Sequence, residues 1–182
     1  MPVETLPLDI KGLVRCAMFA ALIAALGLLP PIPVPVIPVP ITAQTLGVML
    51  AGAVLGAKRG ALAVIIFLGV VVLGFPLLSG GRGGLGVFFG PSAGFLIGWP
   101  LGAFVVGLLA GKSLPRLIAA CLIGGIGAVY IVGVPWMAAV AHLTIGQALV
   151  ASAAFLPGDI VKAVLAAIVA RGIYRGYPAL HQ

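Results

Sequence analysis

The chain has 182 residues, of which 63% are hydrophobic and only 7% are charged. Soluble domains are about 45–50% apolar and about 25% charged, so this composition excludes a water-soluble globule. The net charge of +7 comes from basic residues spread between apolar runs, a pattern typical of membrane proteins rather than of nucleic-acid binding. Cys16 and Cys121 lie within apolar runs, which excludes a disulfide-rich secreted scaffold. We predict an all-α integral membrane protein, with 1–182 as a single transmembrane domain.

Six apolar runs, separated by proline, glycine or basic clusters, predict a bundle of about six transmembrane helices. Some runs are shorter than about 20 residues, so tilted and partly buried spans are expected. The first run follows Lys11 and Arg15, as in a signal peptide, but the five later runs favour an uncleaved first span. The predicted spans are Leu13 to Leu29, Ile41 to Ala57, Ala61 to Leu78, Pro91 to Ala110, Leu117 to Val134 and Leu156 to Tyr174.

The first span carries a stripe of small residues, Ala17, Ala21 and Ala25. Small residues at every fourth position let transmembrane helices approach closely. The stripe therefore either packs inside the bundle or faces another membrane subunit.

The segment from Pro30 to Pro40 contains too many prolines for a helix, because proline fixes φ and lacks an N–H donor. It predicts a stiff, extended outer segment of polyproline character that could serve as a lid. Thr42, Gln44 and Thr45 follow as the most polar cluster of the second span. They either cap this helix or point inward as hydrogen-bonding groups.

Glycine recurs at every fourth position around the start of the fourth span, which predicts a smooth helix face for packing. The same structural role is predicted for a second set of glycines around the end of the second span. The two sets are Gly86, Gly90, Gly94, Gly98 and Gly102, and Gly52, Gly56 and Gly60.

Eight of the ten Lys and Arg residues fall on one side of the membrane if the spans alternate, which places both termini in the cytoplasm. The exceptions are Arg82 and Lys162, both assigned to the outer side. Asp159 lies three residues before Lys162 and therefore shares its helix face. Charges at membrane depth are costly unless paired or hydrated, so the three residues are candidates for a functional site. The alternative is a structural Asp–Lys pair with an interfacial arginine. Their net charge of +1 favours an anionic small molecule.

Signatures of catalysis and nucleotide binding are incomplete. Gly81, Gly83 and Gly86 match a dinucleotide motif but lack its preceding strand and its acidic residue. The Gly-Lys-Ser at 111–113 lacks the first glycine of a P-loop, so ATP hydrolysis by that route is excluded. His142 and His181 do not form a metal-site pattern, and Ser79 and Ser92 have no adjacent base. We predict no metal, no cofactor and no enzymatic activity.

Three segments resemble one known family. PVPITAQTLGVMLAGAVLGAKRGALAV, GFPLLSGGRGGLGVFFGPSAGFLIG and FLPGDIVKA are similar to the BioY family, the biotin-specific S components of energy-coupling-factor (ECF) transporters. The resemblance implies a six-helix protein that binds biotin from outside with high affinity. Transport energy would come from separate ATPase subunits through a membrane T component. The family's docking pattern on the first helix matches Ala17 and Ala21, and its glycine-rich outer loop matches Ser79 to Gly86.

This resemblance implies a binding mode. Asp159 would accept hydrogen bonds from the ureido N–H groups of biotin, Lys162 would donate to the ureido oxygen, and Arg82 would bind the carboxylate through its planar fork. Trp99 or Trp136 could cover the apolar ring, although an interfacial position is expected for either. The full predicted substrate-binding set is Thr42, Gln44, Thr45, Ser79, Gly81, Arg82, Gly83, Gly84, Tyr130, Asp159 and Lys162.

The chain departs from many relatives at two places. Ser92, Ala93, Gly94 and Phe95 replace a Thr-Gly-Gly-Tyr sequence, and Phe67 replaces a tyrosine. Ligand contacts made by those hydroxyl groups elsewhere are not expected here.

The alternative function is a stand-alone secondary transporter or channel for a small organic anion, which would carry flux without partners. An intramembrane enzyme is a third possibility, but it requires a nucleophile–base pair that the sequence does not show.

Overall fold

The computed structural model describes residues 9–34 and 37–177, and gives no side-chain description for residues 37 and 38. His181 lies outside this range. The described chain forms seven α-helices and one short β-hairpin. The helices are α1 (Ile10–Leu26), α2 (Gln44–Leu55), α3 (Ala57–Val72), α4 (Ala93–Leu109), α5 (Leu114–Val140), α6 (Ile145–Ala153) and α7 (Leu156–Gly176), and the strands are β1 (Ile32–Val34) and β2 (Ile37–Ile41).

Helix lengths suit a membrane bundle. Within residues 9–34 and 37–177, α5 is the one helix that has both the length and the hydropathy expected of a membrane span, with 27 residues. The apolar helices α6 and α7 meet at a bend of 57° and together form a second such stretch. α1 and α4 have 17 residues each, which corresponds to about 26 Å at 1.5 Å per residue. This is close to the roughly 30 Å of a bilayer's hydrocarbon core.

α4 lies at the centre of the bundle, in contact with α2, α3 and α5. Three glycines of the predicted stripe, Gly94, Gly98 and Gly102, face α5 so closely that a Cβ atom would overlap Trp136, Val129 or Gly124. The prediction is wrong for Gly86 and Gly90, which precede α4 and have open space around them. The four-residue spacing of glycines extends beyond the start of α4. Outside the helix this spacing does not place residues on one helix face.

The corner between α2 and α3 depends on glycine in two different ways. Gly52 packs against the backbone of Ala103, and Gly60 packs against Gly52, as the packing prediction requires. Gly56 has no packing neighbour but adopts a φ of 80°, which glycine tolerates and most residues do not. It separates two helices that were predicted as longer independent spans.

One end of the bundle collects the chain segments that carry the basic clusters. Arg59, at the start of α3, forms a 3.5 Å ion pair with Asp9, which caps α1. Tyr174, near the end of α7, donates a hydrogen bond to the carbonyl of Ala53 near the end of α2. Gly107, near the end of α4, packs against the α2–α3 corner. The starts of α1 and α3 and the ends of α2, α4 and α7 therefore lie together at this end.

The opposite end carries the hairpin, which corrects the prediction for the proline-rich segment. The chain is extended there, but β1 and β2 pair antiparallel, with Ile32 opposite Ile41 and Val34 opposite Ile37, whereas a polyproline helix has no internal hydrogen bonds. Pairing is possible because the prolines within the strands alternate with residues that keep their N–H donors. Residues 35 and 36 of this segment lie outside the described range.

The second half of the chain differs from its predicted spans. α5 continues to Val140, beyond the predicted end at Val134, and widens into a π-helical turn over Ile123–Ala128. α6 was not predicted as a separate helix. It begins with a capping box in which Thr144 and Gln147 exchange hydrogen bonds, so the T-x-x-Q pattern was the available signal.

The alanine stripe of α1 lies on the outside of the bundle. Ala17, Ala21 and Ala25 are exposed, whereas the opposite face of α1 buries Cys16, Ala20 and Ile23. The structure therefore excludes internal packing of this stripe within the described chain.

Candidate functional site

A cavity opens at the hairpin end of the bundle. Its walls come from β2, the start of α2, the loop between α3 and α4, and helices α4, α5 and α7. The predicted residues that line it are Thr42, Gln44, Thr45, Arg82, Tyr130, Asp159 and Lys162.

Asp159 and Lys162 form an ion pair at the start of α7, with 2.7 Å between Oδ1 and Nζ. Asp159 is 6% exposed and lies in the first helical turn, where the helix dipole favours negative charge. Tyr130 donates a 2.7 Å hydrogen bond to Asp159 Oδ2. Both carboxylate oxygens are therefore held by the protein, and each retains a further lone pair.

The ammonium group of Lys162 has three acceptors. It donates to Asp159 Oδ1, to the carbonyl oxygen of Thr42 at 2.8 Å and to Thr45 Oγ1 at 2.9 Å. The Thr42 carbonyl is available because it precedes the first turn of α2. This arrangement satisfies all three protons of a cation whose side chain is only 13% exposed, which offsets part of its desolvation cost.

Arg82 reaches the same cavity from the loop between α3 and α4. Its Nε donates to the carbonyl of Ser79 at 3.3 Å, and Nη1 donates to Ser92 Oγ at 3.4 Å. A backbone bridge between Leu78 and Arg82 fixes the turn. Burial lowers the pKa of the guanidinium, but arginine remains charged at physiological pH. Among the described residues, none accepts from Nη2, which leaves donors of the fork free.

Gln44 lines the cavity, but protein groups engage its amide. Its Nε2 donates to the carbonyls of Ile23 at 3.1 Å and Leu77 at 3.0 Å, and its Oε1 accepts from the N–H of Ser79 at 3.1 Å. The side chain is 1% exposed. Both amide hydrogens are used, so Gln44 has no donor left for a ligand.

The other predicted loop residues lie around Arg82 rather than in the cavity wall. Ser79 is buried and holds the turn through its backbone. Gly81 and Gly84 have φ values of 69° and 82°, which glycine adopts without strain. Gly81 and Gly83 line a shallow outer depression beside Arg82. Gly84 donates its N–H to the carbonyl of Val71 and so joins the loop to α3.

The apolar wall of the cavity is formed by aromatic residues, most of which were not predicted from the sequence. Phe95 meets both Tyr130 and Phe155 edge-on, with ring centroids 5.7 Å and 5.9 Å apart. Trp99 lines the cavity and is only 4% exposed, so the interfacial position expected for it is wrong. Trp136 instead donates to the carbonyl of Gly90 at 3.0 Å.

The positions that depart from the family pattern also have defined places. Phe67 is buried behind Trp99, with 6.2 Å between ring centroids, and does not line the cavity. Ser92 lines the cavity and accepts from Arg82. A hydroxyl is thus present at this corner although the surrounding motif differs.

The cavity combines a neutral ion pair, a cation with free donors and an apolar aromatic wall between them. It can bind an amphipathic monoanion that offers hydrogen-bond donors and acceptors away from its carboxylate. Binding such a ligand would bring the net charge of +1 from Arg82, Asp159 and Lys162 to zero.

A membrane helix bundle with a small-molecule cavity at one end is the architecture of a substrate-binding transporter subunit. The fold matches a solved structure described as the S-component for biotin from an ECF-type ABC transporter, with a TM-score of 0.85, 35% sequence identity and coverage of 94% of each chain. The predicted fold class is therefore confirmed. The BioY family model matches residues 1–179, and the chain belongs to the BioY family, as the resemblance predicted.

Curated relatives cover nearly the whole chain. The biotin transporter BioY of Rhizobium etli is 51% identical over 93% of this chain and 96% of its own length. The biotin transporter BioY of Rhodobacter capsulatus is 48% identical over the same fractions. The probable biotin transporter BioY of Bacillus subtilis is 45% identical over 90% of each. This family assignment makes the chain a membrane transport protein.

Proposed function

We propose that the chain binds biotin with high affinity in this cavity and acts as the substrate-specificity subunit of an ECF-type transporter. The observation that carries the proposal is that Arg82 lines one cavity together with the Asp159–Lys162 pair, which is far from it in sequence, and with an aromatic wall. The names of the relatives and of the matching S-component support biotin as the ligand.

The ureido ring binds at the α7 end of the cavity. Asp159 accepts from ureido N–H groups through its remaining lone pairs, and Lys162 exchanges one of its protein acceptors for the ureido oxygen. Thr42, Thr45 and Tyr130 hold this pair in position and provide further polar contacts. Because the acid and the base neutralise each other in the empty site, the desolvation cost of binding a neutral ring stays small.

The carboxylate binds at Arg82, whose planar fork suits two oxygens at once. Gly81, Gly83 and Gly84 allow the loop to place this arginine at the cavity mouth, and their backbone N–H groups can approach the same anion. The bicyclic ring and alkyl chain lie against Phe95, Trp99 and the neighbouring apolar wall.

The subunit performs no chemistry of its own. A membrane T component and ATPase subunits supply transport energy, in agreement with the incomplete P-loop motif of this sequence. The exposed stripe of Ala17, Ala21 and Ala25 docks the T component, because small side chains allow close helix contact.

The protein crosses the bacterial cytoplasmic membrane several times as one domain, with both termini in the cytoplasm. The basic clusters at the ends of α1, α3, α5 and α7 support this orientation through the positive-inside rule. The cavity then opens at the outer face, where the vitamin arrives.

The decisive test begins with protein purified from cells grown with biotin, which is denatured and searched for released ligand by mass spectrometry. Biotin should be released, and the emptied protein should rebind it in equilibrium measurements. Proteoliposomes that contain the chain alone should bind biotin without concentrating it, until T component and ATPase subunits are added. Gradient-driven flux through the chain alone would instead establish the stand-alone transporter.

A further inference from the structure

Gln44 lies between the two charged ends of the cavity. It is the first residue of α2, next to Thr45 and two residues after Thr42, which together hold Lys162. On its other side it contacts the loop that carries Arg82. The first turn of α2 and the residues just before it therefore contact both the Lys162 end and the Arg82 end of the cavity.

The amide of Gln44 joins three backbone segments. It donates to Ile23 in the last turns of α1 and to Leu77 in the outer loop, and it accepts from the N–H of Ser79. The carbonyl of the same Ser79 accepts from Arg82 Nε, and the residue between the two loop contacts, Leu78, bridges to Arg82 through the backbone. A continuous chain of hydrogen bonds thus runs from Gln44 to the guanidinium.

The surroundings make these bonds costly to lose. Gln44 is 1% exposed, and Ser79 is equally buried. Without the amide, the buried N–H of Ser79 would have no partner and the part-buried carbonyl of Leu77 would lose its donor, which is unfavourable away from water. The loop would relieve this cost by turning these groups toward water, and Arg82 would move with them.

We propose that Gln44 is a positioning residue for Arg82 and thereby sets the preference of the cavity for a carboxylate over a neutral ligand. The proposal rests on the binding mode given above, in which Arg82 holds the carboxylate of biotin. It assigns Gln44 no contact with the ligand, since both of its amide hydrogens are engaged by the protein.

The test compares biotin with its neutral carboxamide in equilibrium binding to purified protein. Gln44→Met keeps the approximate volume of the side chain and removes its hydrogen bonds. Affinity for biotin should fall about tenfold or more, while affinity for the carboxamide should change less than about threefold, because the amide lacks the charge that Arg82 recognises. A merely structural role would weaken both ligands by the same factor and would overturn the proposal.

A double-mutant cycle gives an independent readout. If Gln44 acts through Arg82, Gln44→Met should add little to the loss of biotin affinity already caused by Arg82→Ala. Additive losses would contradict the coupling. Should Gln44→Met not yield folded protein, Gln44→Leu provides the same acid-to-amide comparison, because it also removes the acceptor for Ser79 and the donors to Ile23 and Leu77 without adding a charge. If the wild-type protein binds neither ligand, the proposed function itself fails, which is a separate outcome.

Discussion

Asp159 is held from both sides, by Lys162 Nζ 2.7 Å from Oδ1 and by the hydroxyl of Tyr130 2.7 Å from Oδ2. Tyr130 belongs to α5 and Lys162 to α7, so the carboxylate connects two helices at the cavity wall. A carboxylate fixed in this way is preorganised to accept hydrogen bonds from a ligand, because no side-chain rotation is needed when the ligand binds.

Asp159→Asn should lower biotin affinity by about 2–3 kcal/mol, or roughly 100-fold, because it removes a charged acceptor from the site. Isothermal titration calorimetry on purified protein measures this loss. Asp9→Asn is the matched control, since Asp9 caps α1 far from the cavity, and its affinity should equal that of the wild type. Wild-type affinity in Asp159→Asn would remove this residue from the binding site.

The same substitution leaves Lys162 without its counter-ion. The double variant Asp159→Asn/Lys162→Met removes both charges, so it should be at least as stable as the single variant while binding biotin no better. Thermal unfolding in detergent gives the stability comparison. A single variant that is unstable and a double variant that regains both stability and affinity would identify the pair as purely structural.

Tyr130→Phe removes one donor to Asp159 and keeps the ring that packs against Phe95. Biotin affinity should fall by about 1 kcal/mol, or roughly fivefold, since the carboxylate keeps its bond to Lys162. Competition binding with labelled biotin measures the change. A loss as large as that of Asp159→Asn would show that the phenol contacts the ligand directly.

Arg82→Ala should reduce the affinity for biotin by about 1.5–3 kcal/mol and leave the affinity for the neutral carboxamide nearly unchanged. The cause is that the guanidinium recognises the carboxylate and little else. Arg116→Ala is the control, because this arginine bonds the carbonyl of Leu109 at the opposite end of the bundle. Equal losses for acid and amide in Arg82→Ala would place the carboxylate elsewhere.

The sequence alone was sufficient to single out three charged residues as candidates and to predict the class of fold. Arg82, Asp159 and Lys162 stood out because charge is rare in an apolar chain, and the spacing of Asp159 and Lys162 already required a shared helix face. All three residues line the cavity, while their role in binding remains a prediction.

Sequence patterns could not predict the aromatic wall or the hydrogen-bond partners of Gln44. An apolar residue in an apolar chain carries no signal that separates a cavity wall from a lipid-facing surface, so Trp99 was placed at the interface. Gln44 was predicted as a polar ligand contact, and that remains a prediction. Its pairing with backbone groups of Ile23 and Leu77 depends on tertiary structure, which the sequence does not show. The hairpin was missed for the same reason.

Gly98→Ala should destabilise the bundle, whereas Gly69→Ala should not. A Cβ at Gly98 would lie 2.9 Å from the carbonyl oxygen of Val129 on α5, so the two helices would have to separate at a cost of about 1–3 kcal/mol. A Cβ at Gly69, within α3, meets no atom within 4 Å, and alanine there favours the helix by up to about 1 kcal/mol. Thermal unfolding of both variants in the same detergent provides the comparison. Equal melting temperatures would show that α4 and α5 are not packed as closely as the structure places them.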